Sequence, residues 1–184
     1  LRFDVQVCQA FMQQTMGLGL EHTQIRALAS RTEGWIVGLQ LAALSLQQQA
    51  DHAAFIAGFT GSHRFVIDYL LDEVLHGLDA DVREFLLLSA HLPRFCAGLC
   101  EAVTGQPDGA QRLQWLEQNQ LFLIALDDQR CWYRYHHLFA DVLKAQASLD
   151  HDRLARLHRR ASHWFEQAGL YSDAIEQALL SGDQ

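Results

Sequence analysis

The residues of this chain that could do chemistry are a single lysine, four cysteines, ten histidines and several grouped carboxylates. A phosphate-binding P-loop needs a glycine-rich turn, then a lysine that reaches the phosphates and a hydroxyl for magnesium. Lys144, the only lysine, stands between Leu143 and Ala145 without a nearby glycine. The chain is therefore not expected to hydrolyse a nucleotide, and we expect no catalytic residue and no enzyme activity.

The cysteines and histidines do not have the spacing of a metal site. Cys96 and Cys100 share one helix face, but the paired C-x-x-C pattern of structural zinc is absent from the sequence. Buried, reduced thiols and no bound metal are the prediction. Ser62 and His63 have no identifiable acid partner, and Arg64 with Asp68 has the i, i+4 spacing of a solvated ion pair.

The composition of the chain limits the kinds of partner that it is expected to bind. The formal net charge of −8 argues against general affinity for nucleic-acid phosphates or anionic membranes. The longest apolar run, residues 35–46, falls short of the roughly twenty residues that cross a bilayer. We expect a cytoplasmic protein with no membrane partner, and the initial leucine suggests a piece of a longer polypeptide.

The sequence pattern predicts helices over most of the chain, and these helices must position the residues discussed above. Asp4 is expected to cap the first helix, and Thr32, followed by Glu33, is expected to cap a third, nearly all-apolar helix over residues 35–46. Residues 1–77 are predicted to form a helical domain around that third helix.

Residues 78–148 have the order of a winged helix-turn-helix domain. Three helices precede two β-prone runs, residues 121–126 and 131–135, which a four-residue loop joins as a hairpin. In the third helix, residues 110–119, the charge of Arg112 is balanced by that of Glu117. Trp115 and Leu116 of the same helix are expected to pack inward. The tip of the wing carries two carboxylates, Asp127 and Asp128. This charge distribution predicts little direct DNA binding, which stays open as a weak alternative.

The pattern of residues 149–184 predicts a helical hairpin. One helix has an apolar stripe, and Gly169 separates it from a second helix that contains Ala174 and Ile175. Such a pair cannot bury both of its faces, so it is expected to begin an array of repeats. One exposed face of the first helix carries Arg153, Arg156 and Arg160. This face is either a solvated surface or a contact for an acidic partner.

Several long motifs together resemble one family. Residues 31–46 (RTEGWIVGLQLAALSL) are similar to the RTEGW-x-x-GLQLAALSL signature of MalT-like, LuxR-type regulators. Residues 61–70 (GSHRFVIDYL), 132–141 (WYRYHHLFAD) and 157–161 (LHRRA) also resemble that family. The resemblance implies a central segment: the helical lid domain of an ATPase module (1–77), a winged helix (78–148) and the first helices of a tetratricopeptide-like sensor (149–184).

The resemblance also implies the partners. In such regulators a P-loop ATPase domain binds ADP or ATP with magnesium, a helical-repeat sensor binds a small-molecule inducer, and a C-terminal LuxR-type domain contacts DNA. We expect the first two as intramolecular partners of this chain, and DNA contact only through that separate domain. The chain itself is expected to hold no cofactor.

Two nucleotide contacts follow from the same resemblance. The family belongs to the signal-transduction ATPases with numerous domains, in which a Met-His-Asp motif touches the β-phosphate of ADP. Residues 135–137 (YHH) resemble that motif and assign the sensor role to His136, with a helix-capping role as the alternative. Gly34, Trp35 and Ile36 match a glycine-x-proline motif that packs on adenine, although isoleucine replaces the proline, and a structural role is the alternative.

The sequence thus predicts a regulatory segment that couples nucleotide state to inducer sensing and oligomerisation. The rival prediction is a protein-interaction module that does not sense nucleotide. That rival expects His136 inside the core and exposed apolar side chains on the last helices.

Overall fold

The computed structural model describes residues 3–49, 51–60, 64–147 and 149–182. These residues are mostly helical, and their only strands form one two-stranded antiparallel hairpin. The predicted fold class, mainly α with a small β-hairpin, is confirmed. The chain divides into two compact units, Leu1–Glu73 and Val74–Gln184. The pair Ser62–His63 lies outside the described residues.

The first unit is a small helical bundle with a core of side chains such as Met12, Ile25, Leu28 and Leu39. Its helices are α1 (Val5–Ala10), which continues as a π-helical turn (Phe11–Thr15), α2 (His22–Thr32), α3 (Ile36–Leu46), α4 (His52–Gly58) and α5 (Arg64–Leu70). A second π-helical turn, Leu71–Leu75, continues α5.

A side-chain cap starts the first of these helices. The Asp4 carboxylate accepts a hydrogen bond of 2.8 Å from the backbone N–H of Val7, which confirms the predicted cap. The predicted cap at Thr32 is wrong, because Thr32 is the last residue of α2 and its hydroxyl donates to the Leu28 carbonyl at 2.8 Å. Glu33 and Gly34 then adopt left-handed backbone conformations (φ 47° and 71°), which end α2 before α3 can begin.

The second unit contains a winged helix followed by a helical hairpin. Its elements are α6 (Ala80–Ser89), α7 (Ala97–Thr104), α8 (Gly109–Gln118), β1 (Leu123–Ala125), β2 (Tyr133–Tyr135), α9 (His137–Gln146), α10 (His151–Gln167) and α11 (Tyr171–Ser181). Leu123 pairs with Tyr135 and Ala125 with Tyr133. Phe95 exchanges two backbone hydrogen bonds of 2.8 Å with Tyr133, so the segment before α7 extends the hairpin by one bridge.

The winged-helix core is built around Tyr135. Its ring lies 4.7 Å from that of Phe95 and 5.7 Å from that of Phe139, in a tilted and an edge-on arrangement. Its hydroxyl is hydrogen-bonded to the Ser89 hydroxyl at 2.8 Å, which satisfies a buried polar group. Complete burial raises the pKa of Tyr135 well above its ordinary value, so this phenol stays protonated.

α10 and α11 pack against each other as an antiparallel pair. His158 and Gln177, both buried, share a hydrogen bond of 2.8 Å, and the Ser162 hydroxyl donates to the Ala174 carbonyl at 2.9 Å. The opposite face of α11 is open, since Ile175 and Leu179 are 63% and 71% exposed. Among the described residues, no helix combines the length and the apolar character that crossing a bilayer requires.

Candidate functional site

His136 lies at the junction between β2 and α9 and is the N-cap residue of α9. Its Nδ1 accepts a hydrogen bond of 3.3 Å from the backbone N–H of Leu138, and its own backbone N–H donates to the Phe122 carbonyl at 2.8 Å. The Phe122 ring meets the imidazole edge-on at 6.4 Å. The side chain is buried, at 4% exposure. The structure therefore gives His136 a helix-capping role inside the winged helix.

The cap also fixes the tautomer of the His136 imidazole. Because Nδ1 accepts a hydrogen bond, the neutral ring carries its proton on Nε2. A hydrogen bond donated to a diphosphate oxygen would therefore come from Nε2–H. The sensor role of His136 stays a prediction, and its chemistry is compatible with the capping role.

Gly34, Trp35 and Ile36 belong to the first unit, where they connect α2 to α3. Gly34 has a positive φ, and a Cβ atom there would lie 2.2 Å from the Phe3 carbonyl oxygen. Only glycine fits this position. Trp35 is the N-cap residue of α3, its ring is tilted against that of Tyr69 at 6.0 Å, and Ile36 is half-buried. These contacts give the segment a structural role, while an adenine contact stays a prediction.

The helix and the wing that a winged-helix protein would offer to DNA have little free positive charge. Arg112 of α8 donates to Asp108 at 2.8 Å and to Asp81 at 2.7 Å, and these hydrogen bonds raise the pKa of its guanidinium. At the wing, the Asp127 carboxylate accepts from the backbone N–H groups of Cys131 and Trp132 at 3.0 and 2.7 Å. Those bonds lower the pKa of Asp127, so the wing loop keeps its negative charge.

Two further predictions, one about α8 and one about the cysteines of the whole chain, were tested by the structure. Leu116 is fully buried as predicted, whereas Trp115 is 39% exposed, so the prediction that both side chains pack inward is wrong for Trp115. Cys8 and Cys100 are buried, Cys96 is half-buried and Cys131 is exposed. The expectation of mostly buried thiols therefore does not hold for Cys131.

A contact that the sequence did not indicate connects the winged helix to the helical hairpin. Arg94, in the segment before α7, donates from Nε and Nη2 to the two carboxylate oxygens of Asp173 on α11, at 3.1 and 2.8 Å. The same guanidinium lies 4.6 Å above the Trp132 ring. Trp132 in turn meets Trp164 edge-on at 6.1 Å and is parallel to Phe165 at 6.3 Å. These five residues are named the Arg94 joint.

The Arg94 joint has no sequence signature. A tryptophan near the wing and another on α10 are the only visible hints, and nothing in their spacing pairs position 94 with position 173. Its geometry brings the end of the wing loop, the pre-α7 segment and both C-terminal helices to one place. The joint therefore connects α11 to the wing through the Arg94 side chain.

Comparison with known proteins agrees with this architecture. A family model described as the MalT winged helix domain matches residues 71–157, which contain α6 to α9 and the start of α10. The HTH-type transcriptional regulator MalT of Cronobacter sakazakii is 36% identical over 188 residues, covering the whole chain. The chain is MalT-like, with a MalT winged helix domain. The predicted resemblance is confirmed.

A MalT-like segment also occurs in a protein with a different name. The serine/threonine-protein kinase PknK of Mycobacterium tuberculosis is 37% identical over 185 residues, again across the whole chain. The chain spans 17% of the length of PknK and 21% of the length of MalT.

Proposed function

We propose that this MalT-like chain is a coupling segment of a cytoplasmic transcription regulator, without enzyme activity of its own. It passes conformational change between an ATPase domain and a helical-repeat sensor through protein contacts. The Arg94 joint is the observation that carries the proposal, because it ties α11, the start of the helical array, to the wing. A displacement of the array therefore acts directly on the winged helix.

The two relatives support a coupling role. One is named a transcriptional regulator and the other a protein kinase, yet both contain a segment similar to this entire chain. A function that suits both proteins is neither kinase chemistry nor base recognition, but a relay between domains. The ion-paired Arg112 and the acidic wing agree, since phosphate contacts normally use free cations.

Two features expected of the rival, a protein-interaction module that does not sense nucleotide, are present in the structure. His136 is buried, and Tyr171, Ile175 and Leu179 on α11 are among the most exposed large apolar side chains of the described residues. These two features favour contacts with other protein segments as the means by which the chain acts.

Nucleotide sensing by His136 is the second candidate function. The specific observation in its favour is the hydrogen bond that His136 Nδ1 accepts from the Leu138 N–H, because a neutral imidazole capped in this way carries its proton on Nε2, the atom that would donate to a diphosphate. In this proposal the regulator binds ADP or ATP with magnesium in its P-loop domain, responds to a small-molecule inducer, and contacts DNA through a C-terminal domain.

Calorimetry on the full-length regulator separates the two candidates. His136→Ala should weaken ADP binding by ten-fold or more, about 1.4 kcal/mol, and spare ATP if His136 senses the diphosphate. His136→Asn keeps a capping side chain and distinguishes loss of the cap from loss of the imidazole. His163→Ala, on an exposed histidine of α10, serves as the control. Unchanged affinities in both His136 variants would leave only the structural role.

Hydrogen exchange on the same protein tests the coupling. Exchange in α10 and α11 should differ between the ADP-bound and ATP-bound states, and Asp173→Asn should reduce that difference. Asp68→Asn, which breaks an exposed ion pair of 3.6 Å with Arg64, is the matched control. Identical exchange in both nucleotide states of the unmodified protein would contradict coupling.

A further inference from the structure

Two neighbouring cavities in the second unit share the wall formed by Glu84, Leu88 and Arg153. The smaller cavity, of about 170 Å³, is also lined by Arg156 and Arg160. The larger cavity, of about 500 Å³, has a mainly aliphatic wall that includes Leu78, Leu87, Ala147 and Leu149. α6 and α10 each contribute to both cavities, while the end of α7 closes the smaller one.

The smaller cavity has an excess of positive charge. Arg153 forms an ion pair with Glu84, and Arg160 donates one hydrogen bond of 3.3 Å to the Val103 carbonyl at the end of α7. Arg156 has no hydrogen bond or ion pair with any residue that the structure describes. Three guanidinium groups therefore face one carboxylate, in a chain whose formal net charge is −8. Such a cavity attracts an anion.

The shape of this region differs from an ordinary solvated helix face. Residues 153, 156 and 160 occupy one side of α10, and that side faces α6 and the end of α7 across a concave space. Guanidinium groups that converge on a cavity can donate to one anion together, as planar forks suited to a carboxylate. On a convex surface the same groups would diverge into water.

The larger cavity supplies an apolar surface beside the arginines. Its volume lies within the range of about 300–1,000 Å³ that is typical of small-molecule sites. Leu78, Leu87 and Leu149 are half-buried, so each still exposes aliphatic surface that a ligand could cover.

We propose that the two cavities form one binding site for a small amphipathic carboxylate. The carboxylate occupies the smaller cavity and accepts hydrogen bonds from Arg156 and Arg160. Its aliphatic chain passes Leu88 and covers the leucines of the larger cavity. Glu84 competes with the ligand for Arg153, because both are carboxylates at the shared wall.

Octanoate is the probe, titrated into the 184-residue chain by calorimetry. Saturable binding should require both parts of the ligand, so 1-octanol and acetate should bind at least ten-fold more weakly. Arg156→Ala should weaken octanoate binding about ten-fold, the loss of one charge-assisted contact. Glu84→Gln should instead strengthen binding several-fold, because it frees Arg153.

Arg130→Ala is the control, since Arg130 is an exposed arginine on the wing loop, beside Glu117, and lines neither of the two cavities. It should leave octanoate binding unchanged. Thermal unfolding of each variant, compared with the unmodified chain, excludes misfolding as the cause of a loss. The proposal is overturned if octanoate fails to bind, if 1-octanol binds equally well, or if Arg156→Ala and Glu84→Gln change the affinity in the same direction.

Discussion

The Arg94 guanidinium and the Asp173 carboxylate lie 79 positions apart in the sequence and form two parallel hydrogen bonds of 3.1 and 2.8 Å. The arginine side chain is 37% exposed and the aspartate side chain 21% exposed, so solvent screens the pair only partly. The Trp132 ring beneath the guanidinium fixes its plane. This geometry makes the winged helix and the helical hairpin parts of one compact unit.

Asp173→Asn is expected to loosen that attachment. The substitution removes the negative charge and one of the two hydrogen bonds, and should lower the free energy of unfolding by about 1 kcal/mol, the upper end for a partly exposed pair. Urea unfolding followed by tryptophan fluorescence suits the measurement, because Trp132 and Trp164 both belong to the Arg94 joint.

Asp68→Asn provides the comparison on a far more exposed pair, in which Arg64 and Asp68 side chains are 88% and 56% exposed. This change should cost less than about 0.5 kcal/mol. Equal effects of the two substitutions would show that the contact with Arg94 adds nothing beyond an ordinary surface ion pair.

Local signals made most of the helix order predictable. Aspartates that cap a first turn, as at Asp4 and Asp51, and glycines that end a helix, as at Gly105 and Gly169, act within a few residues. The cap assigned to Thr32 failed because a hydroxyl can also bond back to the preceding turn of its own helix. Sequence alone does not distinguish these two uses of a threonine.

The orientation of α11 was less predictable than its position. Gln177 is buried at 1% exposure, while Ile175 and Leu179 point away from α10. Gln177 can be buried because the His158 imidazole satisfies its amide oxygen. A pairing between two helices sets this pattern, and hydrophobic periodicity within one helix does not contain it.

Phe165 and Ile175 are expected to respond very differently to truncation. Phe165 is fully buried against Trp132, so Phe165→Ala should lower the free energy of unfolding of the second unit by about 3–5 kcal/mol. Ile175→Ala, on the open face of α11, should change it by less than about 0.5 kcal/mol. Thermal denaturation followed by near-ultraviolet circular dichroism measures both. A large loss in Ile175→Ala would mean that the open face is covered in solution.

The candidate site was predictable only in part, because contacts between separate elements are not visible in the pattern of any one element. The position of His136 before a helix follows from its neighbours along the chain, and the structure places it there. The Arg94 joint and the arginine-lined cavity depend on residues brought together from α6, α10, α11 and the wing. Spacing along the sequence does not encode contacts of this range.

His91 is expected to make the second unit sensitive to mild acid. Its Nε2 is buried without a hydrogen-bond partner among the described residues, and burial, followed by the charges of Lys144 and His158, lowers the pKa of His91 to about 4. An unfolded histidine has a pKa of about 6.5, so the unfolded state binds the extra proton between these two values. The contribution of His91 to the free energy of unfolding is therefore full above pH 6.5 and is lost as the pH drops towards 4. Between pH 7.5 and 5.5 the loss should be about 1 kcal/mol, reduced for partial exposure. Urea midpoints at both pH values measure it. His91→Gln should diminish the loss and His163→Gln should not, whereas an undiminished loss in His91→Gln would assign the acid sensitivity to other groups.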